Sequence, residues 1–166
     1  MSLLLCCVQW AVKGGHARSV AIAKHLLSAG VDARATNNGG STALHWAATG
    51  PVADISRALI ALLLEQPDVY VNAANNAGET PLHWAVDWVR PHAVQALLSA
   101  GADVSKVDRD GNSPLHKIKA DCDESEESVD SSADKRRSDV LMRKNKRAHI
   151  VLLCCSATCC FCFQLH

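Results

Sequence analysis

Three histidines recur at matching places along the chain, and histidine is the side chain most often used for proton transfer and metal binding near neutral pH. They are His45, His83 and His116, and a tryptophan follows each of the first two. A catalytic or metal site would need a carboxylate or a cysteine converging on one of them, and no such residue stands at a motif spacing. We therefore expect a structural row of histidines that hydrogen-bond backbone between neighbouring repeats.

The C-terminal segment carries a second group of chemically reactive residues. It contains five cysteines, namely Cys154, Cys155, Cys159, Cys160 and Cys162. Cys155 and Cys159 stand at a zinc-ligand spacing, but a structural zinc site needs two such pairs presented by a turn. Reversible palmitoylation beside a basic stretch is a second interpretation, and a poorly ordered C-terminus is the simplest one. Residues 150–163 are too few to span a bilayer, which takes about 18 or more apolar residues.

The charge balance indicates no preference for nucleic acid or for an anionic membrane. Lys and Arg number 17, Asp and Glu number 17, and the net charge is zero. A basic cluster, Lys135–Arg137 and Arg143–Arg147, is either a nuclear-localisation signal or the solvated face of a helix. Eight cysteines without a secretion signal favour a reducing compartment. We predict a cytoplasmic protein, with nuclear import as the alternative.

The segments around the three histidines repeat as whole units. Leu44, Leu82 and Leu115, which each precede a histidine, are 38 and 33 residues apart. A Thr or Ser three residues before each histidine can cap a helix, and Pro81 and Pro114 suit the first helical position. Polar turns ending in glycine precede each unit, at 37–40, 75–78 and 108–111, and the block Leu26–Gly30 recurs as Leu97–Gly101.

A turn followed by Thr-Pro-Leu-His on this period resembles the ankyrin repeat. The resemblance covers Met1 to about His116 and implies an all-α solenoid of stacked helix-turn-helix units with β-hairpin turns. We divide the chain into repeats at 1–36, 37–74, 75–107 and 108–117. An acidic and basic disordered insertion (118–137) then precedes a helix (138–155) that serves as the second helix of the fourth repeat, and a Cys-rich tail (156–166) ends the chain.

The repeat pattern predicts the helices of the first three repeats. Three further features distinguish individual repeats. Ala53–Glu65 is apolar over most of its circumference, which predicts the central core helix. We place four extra residues of the second repeat at Thr49–Asp54. The first repeat begins with apolar residues where a terminal repeat needs a polar face, which indicates a covering partner or a longer array. The predicted helices are Leu3–Val12, Ala17–Ala29, Thr42–Thr49, Ala53–Glu65, Thr80–Trp88 and Pro91–Ala100.

The resemblance implies protein binding, not catalysis. The chain contains no phosphate loop, nucleophile elbow or paired-carboxylate motif, and we predict a monomeric, non-enzymatic scaffold or adaptor without cofactor or metal. Its partner is another protein, bound through the hairpin tips and the concave helical face. The alternative is a membrane-associated regulator anchored by a palmitoylated tail. The candidate contact residues are Asn38, Ser41, Asn76, Ala77, Glu79, Asp87, Trp88, Arg109, Asp110 and Asn112.

The tryptophans divide into two groups. Trp10, Trp46 and Trp84 occupy one repeat position, which is typical of packing between layers but also suits an aromatic anchor. Trp88 lies outside the repeated pattern, one helical turn after Trp84 and beside Asp87. Tryptophan is enriched at binding hot spots. Trp88 is either exposed on the concave face or packed within the stack, and the sequence leaves both open.

Overall fold

A computed structural model describes residues 3–14, 18–120 and 149–150 of the chain. These residues form seven helices, of which the first six follow one another as three helix pairs and the seventh begins a further unit. In chain order they are α1 (Leu3–Gly14), α2 (Arg18–Ser28), α3 (Ala43–Ala48), α4 (Ala53–Leu64), α5 (Pro81–Asp87), α6 (Pro91–Ser99) and α7 (Pro114–Ala120).

The helices pack in two rows, and the core lies between the rows. The first helix of each pair contacts the first helix of the next, so that α1, α3, α5 and α7 form one row, while α2, α4 and α6 form the other. Leu44, Leu59, Leu82 and Leu97 are almost wholly buried between these rows. Each pair shares its apolar surface with the next, which is the defining property of a solenoid. The predicted all-α solenoid is therefore confirmed.

The helix boundaries follow the local sequence signals. Pro81, Pro91 and Pro114 each begin a helix, where the missing N–H has no intrahelical partner to lose. The six predicted helices agree with the observed ones to within two residues at each end. Among the described residues, the turns between helix pairs are hairpin loops that contain no β-strand. One isolated antiparallel bridge joins Thr36 to Thr42.

The predicted position of the insertion in the second repeat was wrong. The helices α3 and α4 begin the same distance apart as α5 and α6, so Thr49–Asp54 contains no insertion. The extra length instead extends α4, which has 12 residues against 9 in α6. Leucines at 62–64 continue the helix, which ends shortly before Pro67 because a residue preceding proline disfavours helical geometry.

The helix α4 is also less enclosed than its composition suggests. Ile55, Leu59 and Ile60 are buried against α2, α3 and α6, but Arg57 and Ala58 are exposed. Alanine adds little apolar surface, so a helix face rich in alanine can remain in water at small cost. The predicted core helix α4 is therefore buried on one face and exposed on the other.

The fourth repeat continues beyond the predicted segment 108–117. The helix α7 extends to Ala120 and packs against α5. His149 and Ile150 have helical backbone, and Ile150 is fully buried in the core. The rest of the predicted helix 138–155, residues 121–137 of the insertion and the tail 156–166 lie outside the described residues.

The helices within 3–14, 18–120 and 149–150 include none that is both long enough and apolar enough to cross a bilayer.

Candidate protein-binding surface

Each hairpin between helix pairs is closed by the side chain of its first residue. The Oδ1 atom of Asn75 accepts hydrogen bonds from the N–H groups of Ala77 and Glu79, at 2.9 and 3.0 Å. Asn37 and Asp108 accept the equivalent pairs in their own hairpins. An Asn or Asp side chain that bonds to backbone two and four residues later holds a tight turn in one conformation. The three tips therefore have the same rigid shape.

Glycine is required twice in these hairpins, for conformation and for space. Gly40 and Gly78 have φ values of +74° and +81°, in the left-handed region that side chains with a Cβ disfavour. A Cβ at Gly40 would lie 2.8 Å from the backbone nitrogen of Asn76, and one at Gly78 would lie 2.8 Å from that of Arg109. The hairpins can approach each other only because these positions lack a side chain.

Neighbouring hairpins are joined by backbone hydrogen bonds into a ladder. The N–H of Asn76 donates to the carbonyl of Gly39, and the N–H of Arg109 donates to the carbonyl of Ala77, both at 2.9 Å. The side-chain amide of Asn76 also donates to the carbonyl of Asn38 at 3.1 Å. The ladder fixes the spacing of the tips, which would present their exposed side chains to a partner without further ordering.

The ten residues predicted as contacts fall into three environments. Ser41 is only 3% exposed and is buried within the stack, while Glu79 and Asn112 are half-buried. The other seven are exposed, at the hairpin tips (Asn38, Asn76, Ala77, Arg109 and Asp110) and at the end of α5 (Asp87 and Trp88).

The repeated histidines bridge each repeat to the next. The Nδ1 atom of His83 accepts the N–H of Thr80 at 3.1 Å, and the threonine hydroxyl lies 2.9 Å away. On the other side of the ring, Nε2 donates to the carbonyl of Asn112 at 3.0 Å. His45 makes the same contacts one repeat earlier, ending on the carbonyl of Glu79. Both rings are fully buried, which agrees with a structural row that links backbone between repeats.

This geometry requires neutral imidazole. Nδ1 must keep its lone pair to accept the threonine N–H, so the single proton is on Nε2. Burial lowers the pKa of His45 and of His83 below the usual histidine value, because a buried ring disfavours the charged form. His116 makes the same cap contact with Ser113 but is exposed.

The tryptophan that follows each buried histidine packs between layers. The rings of Trp46 and Trp84 meet edge to face, with centroids 5.3 Å apart and planes at 87°. His45 also stands edge-on to Trp84, at 5.4 Å. Such aromatic pairs contribute about 0.5–1.5 kcal/mol beyond the area that they bury. Trp10, at the corresponding place in the first repeat, is 59% exposed.

Lys117 lies between two carboxylates from different repeats. Its ammonium donates to Oε1 of Glu79 at 3.1 Å and lies 3.3 Å from Oδ2 of Asp108. The other oxygen of Glu79 accepts the indole N–H of Trp84 at 2.8 Å and the side-chain amide of Asn75 at 3.1 Å. Lys117 occupies the position of Trp46 and Trp84 in its repeat, so the aromatic row continues as a charge network.

The hydrogen bonds and ion pairs of this network favour the charged forms of its three titratable side chains. Burial alone would raise the pKa of Glu79 and of Asp108, but hydrogen bonds and the nearby Lys117 ammonium outweigh it and leave both values lowered. Burial would lower the pKa of Lys117, but the two carboxylates raise it. All three groups are therefore charged near neutral pH.

The end of α5 differs from every other helix end among the described residues. Val89 has φ +52°, and it is the one residue other than glycine with positive φ in that part of the chain. A β-branched residue in this region is strained, and the cost is of the order of 1–2 kcal/mol. Just before it, Trp88 is 56% exposed, and Asp87 is exposed as well. Of the two possibilities for Trp88, the structure shows exposure, and its place on a concave face stays a prediction.

Two side chains after α5, those of Arg90 and His92, were missed by sequence reasoning. Nε of Arg90 donates to the carbonyl of Thr49 at 2.9 Å, and Nε2 of His92 donates to the carbonyl of Gly50 at 3.0 Å. Both satisfy carbonyls at the C-terminal end of α3, where a helix leaves acceptors without internal partners. No local pattern marks them, because their acceptors lie about forty residues away.

A cavity of about 230 Å³ lies beside the first two hairpins. Its lining includes Arg34, Thr42, Asp68 and Tyr70, and Tyr70 is 78% exposed. The lining has one charge of each sign and no buried titratable group. It is an accessible recess, and its composition does not define a ligand.

The described part of the chain contains no group of His, Cys, Asp and Glu residues able to hold a metal ion. Cys6 is exposed and Cys7 half-buried, with the Cys7 thiol 3.6 Å from the carbonyl of Ser19. The five C-terminal cysteines lie outside the described residues, so zinc binding and palmitoylation there stay predictions.

Paired helices in two rows, hairpins joined by backbone bonds and a histidine bridging successive repeats define a helical repeat solenoid. The family profile for ankyrin repeats matches three copies over residues 8–108. The chain belongs to the ankyrin repeat family, as its sequence motifs indicated. Ankyrin repeats generally mediate protein–protein interactions. A comparison with curated proteins found no significant match.

Proposed function

We propose that this protein is a non-catalytic interaction module, a scaffold or adaptor that binds a partner protein through its hairpin tips and the exposed end of α5. The observation that carries the proposal is that two adjacent residues, Asp87 and Trp88, are both exposed on an otherwise regular stack. The residues that repeat, such as His45 and His83, are buried and engaged within the stack. Asp87 and Trp88, which depart from the repeat, are exposed.

The energetic argument concerns Trp88. Tryptophan exposes a large apolar surface to water, and its burial in a complex would contribute more than that of most side chains. Trp88 follows directly on α5, a helix packed against α3, α6 and α7. A partner would therefore meet a side chain whose backbone is already held, which reduces the entropy lost on binding.

The hairpin tips add a second, polar part of the surface. Asn38, Asn76 and Arg109 are exposed, and the backbone ladder sets the distance between them. Polar groups at the rim of an interface contribute orientation more than affinity. We assign the tips to orientation and the end of α5 to affinity.

An affinity capture with the folded chain tests this assignment. The double variant Asp87→Ala with Trp88→Ala is compared with wild type, and Tyr70→Ala provides the matched control because it removes another exposed aromatic side chain. Circular dichroism and urea unfolding first establish that all variants fold. We expect a partner captured by wild type and by Tyr70→Ala to be lost with the double variant. Equal recovery by all three proteins would refute the assignment of affinity to the end of α5.

A further inference from the structure

The exposed end of α5 combines an aromatic face with an unpaired negative charge. Asp87 and Trp88 stand three and four residues after Trp84, so each of them lies next to Trp84 at this end of α5. Trp88 is 56% exposed, Asp87 is exposed and Trp84 is half-buried. We call these three residues the α5 patch.

Asp87 has no partner in the described structure. Across residues 3–14, 18–120 and 149–150, its carboxylate takes part in no ion pair or hydrogen bond, in contrast to Glu79 and Asp108. It is also the last residue of α5. The C-terminal end of a helix carries partial negative charge, which disfavours an anion there. Among the described residues, no hydrogen bond or ion pair compensates the charge of Asp87.

Arg90 is the cation nearest to the patch in sequence, and Lys117 is the cation of the charge network. Both have other partners. Arg90 directs its Nε towards the carbonyl of Thr49, and Lys117 lies between Glu79 and Asp108. Neither forms an ion pair with Asp87 among the described residues. The patch therefore keeps a net negative charge beside an indole face.

This combination selects a cationic group over an apolar or an acidic one. An apolar partner that covered Trp88 would also desolvate the Asp87 charge without pairing it, and an acidic partner would be repelled. A guanidinium can stack on an indole and pair with a carboxylate at the same time, which an ammonium does less well. We infer that the α5 patch binds an arginine side chain in a basic segment of the partner protein, which rests on the function proposed above.

The inference can be tested with the full-length chain and short peptides. The probe is a capped peptide of alternating arginine and glycine, and the matched ligand control replaces arginine with citrulline, which keeps the shape without the charge. The indole N–H resonance of Trp88, assigned by its loss in Trp88→Phe, reports binding in a nuclear magnetic resonance titration. We expect the arginine peptide to shift this resonance saturably and the citrulline peptide to leave it unchanged.

Three variants separate the contributions of charge and ring. Asp87→Asn should weaken peptide binding about three-fold, as for an exposed ion pair. Trp88→Leu, followed through the indole N–H resonance of Trp84 instead, should weaken it by a similar factor, as for an exposed cation–π contact. Asp110→Asn removes an exposed carboxylate at a hairpin tip and should have no effect. Equal affinity of Asp87→Asn and wild type, or equal binding of the citrulline peptide, would overturn the inference.

The basic cluster of this chain is the competing occupant, and it gives a distinct result. If the cluster already filled the patch, replacing Arg143 and Arg147 with serine would shift the Trp88 resonance in the absence of any peptide. That result would overturn the assignment to a partner protein. If capture of a partner depends on Asp87 and Trp88 but no arginine peptide binds, the proposed function stands and the inferred chemistry is wrong.

Discussion

The second and third repeats have the same parts but are joined to their neighbours in different ways. In both, a threonine and a histidine cap the first helix, and the histidine bonds to the next hairpin. The residue before the threonine is Ser41 in one and Glu79 in the other. Glu79 accepts the indole N–H of Trp84, whereas the buried indole N–H of Trp46 has no hydrogen-bond partner among the described residues.

This difference shows that the residue before the threonine, together with the residue after the histidine of the next repeat, sets the character of an interface. Where the longer carboxylate is present, the junction of repeats three and four is a charged network that includes Lys117. Where serine is present, the junction of repeats two and three is aromatic, and one donor stays unsatisfied. The histidine link is common to both junctions. Variants at matched positions can therefore separate what is shared from what is particular.

The largest effect is expected at the shared histidines. Replacing either His45 or His83 with alanine removes a buried ring, the cap contact and the bond to the next repeat. We expect each variant to lower the free energy of unfolding by about 2–4 kcal/mol, as measured by urea unfolding. His116→Ala is the control and should cost less than about 1 kcal/mol, since His116 is exposed. A His116→Ala loss as large as the others would contradict the proposed bridging role.

A smaller loss is expected for Lys117→Met, which affects the third junction only. The substitution keeps the length of the side chain but leaves the carboxylates of Glu79 and Asp108 without their cation. Because the lysine is partly exposed, we expect a loss of about 1–3 kcal/mol, less than for a fully buried pair. Lys106→Met, on an exposed lysine, should be nearly neutral. If both variants were equally stable, the network would contribute nothing.

The stability should fall as the pH is lowered from 7.5 to 5.5. The folded-state pKa values of His45 and His83 are lowered by burial, whereas the unfolded-state value is near 6.5. Below that pH the unfolded chain binds protons that the folded chain does not, so each histidine can remove up to about 1.4 kcal/mol per pH unit. Glu79 and Asp108, whose pKa values are also lowered, add a further loss below about pH 4. Urea midpoints at several pH values measure the slope, which should become smaller in His83→Gln.

The smallest effect distinguishes the two tryptophans. Trp46→Phe and Trp84→Phe remove similar volume, but only Trp84 loses a hydrogen bond, the one to Glu79. We expect Trp84→Phe to be less stable than Trp46→Phe by about 1 kcal/mol, because the buried N–H of Trp46 is unsatisfied already. Urea unfolding measures the difference. Equal losses would show that the Glu79 bond contributes nothing net, and a greater loss for Trp46→Phe would indicate a partner for its N–H in solution.

Several features of the fold followed from local patterns in the sequence. Helix starts were predictable because Thr80-Pro81 combines a cap with a preset φ. The hairpins were predictable because asparagine and glycine specify a tight turn, and the repeat period placed these units in one stack. The exposure of Trp88 was one of the two possibilities that the sequence left open, and a residue that breaks a repeated pattern has no equivalent layer to pack against.

Other features depended on contacts that the sequence does not display. The extra residues of the second repeat were assigned to the wrong place, because the sequence interval between His45 and Leu64 gives only their number. It does not show whether they lie in the loop before α4 or in α4 itself. Ser41 and Glu79 were grouped together as contact residues because both precede a threonine in the repeat. The structure separates them: Ser41 is buried, whereas Glu79 is half-buried and pairs with Lys117 of the next repeat.

The sequence by itself determined the repeat architecture of this protein. Repetition places like residues in like environments, so the helices, hairpins and histidine row follow from composition and spacing alone. Only the tertiary structure decided which departures from the repeat matter. Lys117 meets Glu79 from 38 residues away, while Asp87 meets no partner in the described chain. That distinction depends on distances between side chains in three dimensions, which no local pattern encodes.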